Sequence, residues 1–255
     1  MKLSVVIPAH NEGQNIESTL NDLHGTLDSN QIDHEIIVVD DNSQDDTARV
    51  TESLAIRIPT LRLVHNVPPN CFGFAVRCGL NHFTGDAVAI FMADGSDSPS
   101  DLVHFFKTME TEKTDCVFGS RFIRGGETAH YPWPKLILNR LANRFIQLLF
   151  QIPYNDTTNA FKMYRREVIA GVQPLLSHHF NLTVELPLKA IIRGYTYTII
   201  PNRWENRKKG ESKLRIKEMG SRYLFIVLYC FLEKWLSKGD YQRPHFSSSK
   251  NQKPQ

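Results

Sequence analysis

The sequence predicts an α/β fold, in which a mostly parallel, Rossmann-like sheet is flanked by helices. Short apolar runs alternate with segments of helical spacing through the first half of the chain. Such runs are typical of buried strands, and repeated strand–helix units favour a parallel sheet with helices on both faces. The 255 residues suffice for one large α/β domain or two smaller ones.

Strand and helix signals alternate along this first half. The run EIIVV at residues 35–39 is a typical buried strand, and residues 14–27 carry Ile and Leu at helical spacing. Pro99 follows Ser98, a pair typical of a helix N-terminus. The predicted strands are residues 3–7, 35–39, 60–65, 87–92 and 116–119. The predicted helices are residues 14–27, 45–58, 73–83 and 99–112.

The second half has a different pattern. Residues 125–134 are rich in Gly, Pro and aromatic side chains and indicate a loop, as does the polar segment 153–159. Residues 203–215, RWENRKKGESKLR, are strongly basic. Helices are predicted over residues 136–150, 183–193 and 216–238, and a strand over residues 195–201. The predicted units are a domain over 1–214, an amphipathic helix over 215–238 and a disordered tail over 239–255.

Composition excludes several classes of protein. With 41% hydrophobic and 22% charged residues the chain is globular, and its net charge of +3 gives no electrostatic case for binding nucleic acid. The four cysteines form no CxxC pair or zinc pattern and are predicted to be reduced. We find neither a signal peptide nor an apolar stretch of about 18–20 residues, which predicts a protein of the cytosol.

Polar and acidic residues follow three of the predicted strands, at 10–12, 40–43 and 94–97. Because the carboxyl ends of parallel strands meet at one edge of a sheet, where ligands bind, these loops are expected to meet there. Clustered carboxylates repel one another, but they suit a divalent cation that in turn holds phosphates.

The acidic candidates for this site are Asp40, Asp41 and Asp94, with Asp97 nearby. The alternative is that Asp, Asn and Ser in these loops only cap helices and form turns. That second interpretation is favoured for Ser43, Asp45 and Asp46.

A second group of candidates is basic. Arg121 follows the fifth predicted strand, Lys135 and Arg140 lie at the start of the next helix, and Arg207 and Lys213 lie in the basic segment. Arginine is a good bidentate clamp for phosphate, so acids on one side and cations on the other suit a reaction between two phosphorylated molecules. For each cation alone the alternative is a solvated surface charge, which holds for most Lys and Arg, and the basic run also fits a patch on anionic lipid.

The helix over 215–238 is the most apolar segment of the chain, and Lys and Arg flank both of its ends. It either packs on the sheet or lies in a membrane surface, and a helix of this kind can do both.

Five motifs, in order, resemble the family 2 glycosyltransferases. Three carry the general resemblance: VVIPAHNE at 5–12, VVDDNSQDDT at 38–47 and GSRF with its following GG at 119–126. NDTTNAFKMYRRE at 155–167 and R-x-x-G-x-S-K-L at 207–214 are similar to the dolichyl-phosphate mannose synthase branch, the polyprenyl-phosphate glycosyltransferases. The resemblance covers roughly residues 1–215. It implies an A-type glycosyltransferase fold, a nucleotide-sugar donor, a divalent metal (Mg²⁺ or Mn²⁺) and a polyprenyl-phosphate acceptor.

The resemblance also implies roles for individual residues. Asp94 matches the second aspartate of the D-x-D metal motif, and Asp97 is a possible second ligand. Arg121 matches an arginine on the acceptor phosphate, with Lys135 and Asn139 at further positions of that site. The expected nucleotide-pocket residues are Pro8, Ala9, Asn11, Glu12, Asp40 and Asp41. The residues matching a loop that closes over the donor phosphates are Arg207, Ser212 and Lys213.

The chain departs from the family pattern at four positions. Met92 replaces the first aspartate of D-x-D, which removes a carboxylate and leaves the metal dependence open. Lys135 stands for a second acceptor arginine, Asn139 for a serine and Ala160 for a glycine. These changes indicate a divergent branch, in which the sugar and the acceptor stay open.

The predicted reaction is sugar transfer with inversion at the anomeric carbon, on the cytosolic face of a membrane. A phosphate acceptor is already anionic near neutral pH, so positioning and electrostatics would suffice without a strong general base. Asp94, Arg121, Lys135 and Arg207 are the predicted catalytic residues, and mannose and glucose are both open as the sugar. Two alternatives remain: a glycosyltransferase for a soluble glycan or protein acceptor, and a non-catalytic module that binds nucleotide-sugar or lipid phosphate. Whether a membrane subunit anchors the protein is also open.

Overall fold

The computed structural model describes residues 1–206 and 216–243. The strands are β1 (Leu3–Ala9), β2 (His34–Asp40), β3 (Leu61–His65), β4 (Ala87–Ile90), β5 (Cys116–Ser120), β6 (Glu127–Ala129), β7 (Lys162–Arg165), β8 (Tyr197–Pro201) and β9 (Arg203–Glu205). The helices are α1 (Ile16–Ser29), α2 (Thr47–Ala55), α3 (Phe72–His82), α4 (Pro99–Glu112), α5 (Trp133–Phe150), α6 (Arg166–Gly171), α7 (Leu182–Ile192) and α8 (Ile216–Leu236).

The central sheet has seven strands in the order β3-β2-β1-β4-β7-β5-β8. β1 pairs in parallel with β2 and β4, and β5 pairs in parallel with β8. β7 is antiparallel to both of its neighbours, β4 and β5. The predicted fold class, a mostly parallel sheet flanked by helices, is therefore confirmed.

Two apolar layers cover the sheet, and β1, which is apolar at every position except Ser4, contributes to both of them. Leu3, Val5 and Ile7 face a core shared with α1, α2 and α4, while Val6 faces a second core shared with α3, α6 and α7. A strand buried on both faces needs apolar residues at successive positions rather than at alternate ones. A third cluster joins α5, α7 and α8 through residues such as Ile146.

Four short elements differ from the sequence prediction. Residues 125–134 contain β6 and the start of α5, and the basic segment begins with β9, which pairs in parallel with β6. Both strands are three residues long and partly exposed, so they lack the apolar run that marks a buried strand. The sequence analysis also missed β7 and α6, which follow directly after one another.

Part of the predicted tail contacts the domain. The Arg243 amide donates to the Arg193 carbonyl at 2.8 Å, and its guanidinium lies 2.7 Å from the Asp115 carboxylate. Residues 207–215 and 244–255 lie outside the described residues. In the portion of the chain that the structure describes, no helix has both the length and the apolarity needed to cross a bilayer.

Candidate active site

The carboxyl ends of β1, β2 and β4 meet at one edge of the sheet, as the sequence predicts. The last residues of β1 and β2, Ala9 and Asp40, are partners in the parallel register. The Asp41 amide then donates to the Ala9 carbonyl at 2.8 Å, and the Thr19 hydroxyl of α1 donates to the Ala93 carbonyl at 3.1 Å. The three polar loops are thereby fixed beside one another.

The loop after β1 is locked to the loop after β2. Asn11 adopts a φ of 53°, a region that Asn tolerates better than most residues. Its side-chain oxygen accepts from the Gln44 amide at 2.7 Å, and its own amide donates to the Ser43 hydroxyl at 3.0 Å. The buried Glu12 donates its amide to the Thr47 hydroxyl at 2.9 Å. Pro8 and Ala9 end β1, and Asn11 and Glu12 lie in the loop that follows directly.

Asp45 has the turn role that the sequence favoured. Its carboxylate accepts from the Gly13 amide at 2.9 Å and from the Thr47 amide at 3.0 Å. Burial raises the pKa of Asp45, but hydrogen bonds from Thr47 and Gly13 outweigh it and lower the pKa below its ordinary value. These bonds hold the loop after β1 against the start of α2.

Asp40 and Asp41, both predicted nucleotide-pocket residues, are buried. Asp41 accepts from the side-chain amides of Asn66 at 2.7 Å and Asn70 at 3.0 Å. Asp40 lies 3.4 Å from the imidazole of His65. His65 ends β3, and the two asparagines come from the connection after it, which the sequence analysis did not single out, although Asn66 follows β3 as Asp41 follows β2.

Asp94 and Asp97 line one cavity of 240 Å³ next to this edge, together with Asn15, Thr19 and Glu205. One Asp94 carboxylate oxygen accepts from the Ser96 amide at 3.1 Å.

Asp97 is 4% exposed and accepts from the Met92 amide at 3.0 Å. Burial raises the pKa of Asp97 to about 7, and the nearby charge of Asp94 acts in the same direction, against the hydrogen bond from Met92. Asp97 therefore braces the loop that carries Asp94.

These residues fit a divalent cation that is held largely by its substrate. Mg²⁺ and similar cations bind through one or two carboxylates plus phosphate oxygens, so Asp94 and a diphosphate could hold one here without the carboxylate that Met92 lacks. Within residues 1–206 and 216–243 no group of three or more His, Cys, Asp or Glu side chains is arranged to hold a metal ion.

Arg121 is buried on the other side of this edge and is fixed by Asp156. The fully buried Asp156 carboxylate accepts from Nε and Nη2 of Arg121, each at 2.8 Å, and from its backbone amide at 3.0 Å. Burial lowers the pKa of the Arg121 guanidinium, but Asp156 outweighs it and raises that pKa above its ordinary value. The ion pair uses Nε and Nη2 and leaves Nη1 outside it.

Trp204 of β9 links the acidic and basic sides. Its backbone forms a β-bridge with Asp97, and the Arg121 guanidinium carbon lies 5.8 Å from its ring centroid. The rings of Phe122 and Tyr131 lie at 5.3 and 5.6 Å from the same carbon. Three aromatic rings thus lie around the guanidinium that is predicted to contact the acceptor phosphate.

The loop that carries Asp156 is held on one side by α5. The buried Asn143 accepts from the Thr157 amide at 2.6 Å and from its hydroxyl at 2.7 Å. Asn139, predicted on the acceptor phosphate, donates to the Thr158 hydroxyl at 2.6 Å. Asn139 therefore positions this loop, and Lys135 lies one helical turn before it in α5.

A buried lysine holds the same loop from the other side. Lys162 is 1% exposed, and its ammonium donates to the carbonyls of Thr157 and Thr183, each at 3.1 Å, and to the carbonyl of Asn159. Burial lowers the pKa of Lys162 to about 7, although the charge of Asp156 opposes the shift. Three carbonyl acceptors favour the charged ammonium, so Lys162 ties the loop to the start of α7.

Residues 4–172 match the model of a protein family described as Glycosyl transferase family 2. This chain belongs to that family. The predicted membership is confirmed, and the chain is a glycosyltransferase, as the sequence indicated.

Named relatives point to the predicted branch of the family. Polyprenol monophosphomannose synthase of Mycolicibacterium smegmatis is 28% identical, over 82% of this chain and 80% of the relative. Dolichol-phosphate mannosyltransferase of Pyrococcus furiosus is 27% identical, over 85% of this chain and 60% of the relative. Undecaprenyl-phosphate mannosyltransferase of Micrococcus luteus is 23% identical, over 92% of this chain and 96% of the relative.

Solved structures of glucosyl-3-phosphoglycerate synthase from Mycobacterium tuberculosis share the fold. The complex with Mn²⁺, UDP-glucose and phosphoglyceric acid has a TM-score of 0.67, over 91% of this chain and 79% of that chain. The complex with phosphoglyceric acid has a TM-score of 0.66, also over 91% of this chain and 79% of that chain. Both are 19% identical, so the similarity shows the fold alone, and the predicted A-type glycosyltransferase fold is confirmed.

The candidate site thus includes residues that sequence reasoning did not find. The structure brings Asp94 and Asp97 to one cavity and places the nucleotide candidates at the adjoining strand ends. Arg207, Ser212 and Lys213 lie outside the described residues. The side chains that the sequence analysis missed are Asn66, Asn70, Asn143, Asp156, Lys162 and Trp204. Asp156 and Lys162 fall inside the motif NDTTNAFKMYRRE, so the motif marked the segment without revealing the ion pair.

Proposed function

We propose that this chain transfers a hexose from a nucleotide-sugar to a polyprenyl phosphate, with inversion at the anomeric carbon, at the cytosolic face of a membrane. The observation that carries the proposal is the set of names of the relatives. They are a polyprenol monophosphomannose synthase, a dolichol-phosphate mannosyltransferase and an undecaprenyl-phosphate mannosyltransferase. The separated acidic and basic sides of the site support it, because donor and acceptor are both phosphorylated.

In the proposed reaction an oxygen of the acceptor phosphate forms the new bond to the anomeric carbon. The bond from that carbon to the diphosphate breaks, and its electron pair leaves with the nucleoside diphosphate. A divalent cation at Asp94 would neutralise charge on the leaving group. Arg121, oriented by Asp156, offers its Nη1 amine to the acceptor phosphate, and Lys135 adds a second charge there.

The names of the relatives favour mannose as the sugar. The UDP-glucose in the solved structures belongs to a protein only 19% identical, so glucose has weaker support. Arg207 and Lys213 are proposed, from the family motif alone, to close over the donor phosphates. The nucleotide of the donor is to be identified by experiment.

The test is transfer by the purified full chain. GDP-mannose or UDP-glucose would be supplied with Mn²⁺ or Mg²⁺ and a short-chain polyprenyl phosphate, and mass spectrometry would detect a lipid phosphate hexose. We expect product with at least one donor. Transfer only to a glycan, protein or phosphoglycerate acceptor would support a soluble-acceptor enzyme instead, and donor binding without any turnover would support a binding module.

Met92→Asp is expected to strengthen the dependence on metal. The substitution restores a second carboxylate at the end of β4, so the Mn²⁺ concentration for half-maximal activity should fall by about three- to tenfold. A metal titration of initial rates measures this, with Met92→Leu as the matched control that adds no ligand. An unchanged half-maximal concentration in a folded Met92→Asp protein would show that position 92 does not face the cation.

A further inference from the structure

Two histidines meet at the edge of the sheet opposite the candidate active site. His24 belongs to α1, and His34 is the first residue of β2, whose last residue is Asp40. A strand advances about 3.3 Å per residue, so roughly 20 Å separate His34 from the nucleotide candidates at the carboxyl end of the strand. No step of the proposed reaction uses either imidazole ring.

The ring nitrogens of this histidine pair are close together. Nδ1 of His24 lies 3.1 Å from Nε2 of His34, and the ring centroids are 5.3 Å apart with the planes tilted by 53°. The hydroxyl of Thr60, just before β3, lies 3.2 Å from the same Nε2. Residues from α1, β2 and the turn before β3 therefore meet at one nitrogen atom.

The backbone fixes which nitrogen of His34 carries the proton. Nδ1 of His34 lies 2.8 Å from the Ile32 carbonyl, which can only accept, so the neutral ring is protonated at Nδ1 and has its lone pair at Nε2. Both His24 and the Thr60 hydroxyl border that lone pair. Histidines that bind metals commonly have this arrangement, in which one nitrogen donates to a backbone carbonyl and the other faces the ion.

The spacing of the pair is also that of two ligands on one ion. Transition metals bind imidazole nitrogen at about 2.0–2.1 Å, which places two such nitrogens about 2.9–3.4 Å apart for bond angles between about 90° and 110°. The 3.1 Å between Nδ1 of His24 and Nε2 of His34 lies inside this range. His34 is buried, whereas His24 is half-buried, so an ion can reach the pair from the side of His24 by a small turn of that ring.

We propose that His24 and His34 bind a transition-metal cation that prefers nitrogen ligands, such as Zn²⁺, Cu²⁺ or Ni²⁺, with water completing its coordination. Two metal–nitrogen bonds replace the contact between the rings, and the neutral His24 ring carries its proton at Nε2 instead of Nδ1. The pair supplies two side-chain ligands, since residues 1–206 and 216–243 contain no group of three.

This cation differs in class from the one assigned to Asp94. Mg²⁺ and Mn²⁺ prefer carboxylate and phosphate oxygens, whereas two imidazoles select softer cations. An ion held between α1 and the start of β2 binds the folded chain and stabilises it. The inference does not depend on the proposed function.

The test combines two measurements on the full chain. Electron paramagnetic resonance of added Cu²⁺ is expected to show splitting from two imidazole nitrogens. Thermal unfolding with free Zn²⁺ at about a hundred times its Kd should give a Tm about 5 °C or more above that of the metal-free chain. His24→Gln should remove the Cu²⁺ signal of the pair and most of the Zn²⁺ effect, while leaving the contact of His34 with Ile32. The matched control is His104→Gln, at an exposed histidine of α4.

Two results would overturn the proposal. One is a Cu²⁺ spectrum that His24→Gln leaves unchanged, and the other is an equal rise in Tm with Zn²⁺ for wild type and His24→Gln. Either would show that the two rings only form a hydrogen bond with each other. Thermal unfolding without metal checks that both variants are folded. Sugar transfer with Mn²⁺ is expected to be the same in His24→Gln and wild type, so a failure of this inference is distinguishable from a failure of the proposed function.

Discussion

Asp94→Asn is expected to lower the turnover number by about a hundredfold or more, with little effect on stability. Met92 leaves the end of β4 with a single aspartate in the family's metal motif, and Asp97 is engaged with the Met92 amide. Asp94 is therefore the residue that we assign to hold a cation against the leaving diphosphate. Initial rates at saturating donor, with a short-chain polyprenyl phosphate and a range of Mn²⁺ concentrations, measure the effect.

Asp22→Asn is the matched control for this prediction. Asp22 lines the same cavity from α1 and is exposed, so its charge can be removed without disturbing the loop after β4. We expect less than about a twofold change, as for most surface substitutions. Equal losses of activity for Asp22→Asn and Asp94→Asn would show that the total negative charge of the cavity matters, rather than Asp94 itself. Full activity of Asp94→Asn would rule out Asp94 as the metal ligand.

The elements that could be predicted from the sequence are those whose own residues are apolar because the element is buried. β1 and residues 36–39 of β2 are apolar at nearly every position because helices cover both faces of the sheet. β7, with the sequence KMYR, begins and ends with a cation and gives no such signal. Lys162 can occupy that buried position only because the carbonyls of Thr157, Asn159 and Thr183 accept from its ammonium, a contact set that the packed loop creates.

The candidate site likewise has one part that the sequence predicts and one part that it does not. The acidic loops could be predicted to meet because parallel strands place all their carboxyl ends on one edge. The partner of Arg121 could not, because Asp156 lies 35 residues away in a loop whose position depends on Asn143 and Lys162. A sequence motif marks such a loop as special, but only the packed structure shows which carboxylate fixes the guanidinium.

Asp156→Asn is expected to have the largest effect on stability, lowering the free energy of unfolding by about 3–5 kcal/mol. The substitution leaves the buried guanidinium of Arg121 without a matching charge. Urea unfolding measures the loss, and Asp46→Asn is the matched control, because Asp46 pairs with Arg49 on the exposed surface. Surface pairs of this kind contribute little, so the control should unfold like the wild type.

The double variant Arg121→Met with Asp156→Leu separates stability from function. Replacing a buried ion pair by apolar residues of similar size is often neutral or stabilising, so this protein should regain most of the stability that Asp156→Asn loses. If Arg121 presents its Nη1 amine to the acceptor, transfer should nevertheless stay low, with a raised KM for the polyprenyl phosphate and unchanged binding of the donor. A stable double variant with wild-type kinetics would show instead that the pair serves only the fold, and the acceptor phosphate would then have to be held by Lys135 and its neighbours in α5.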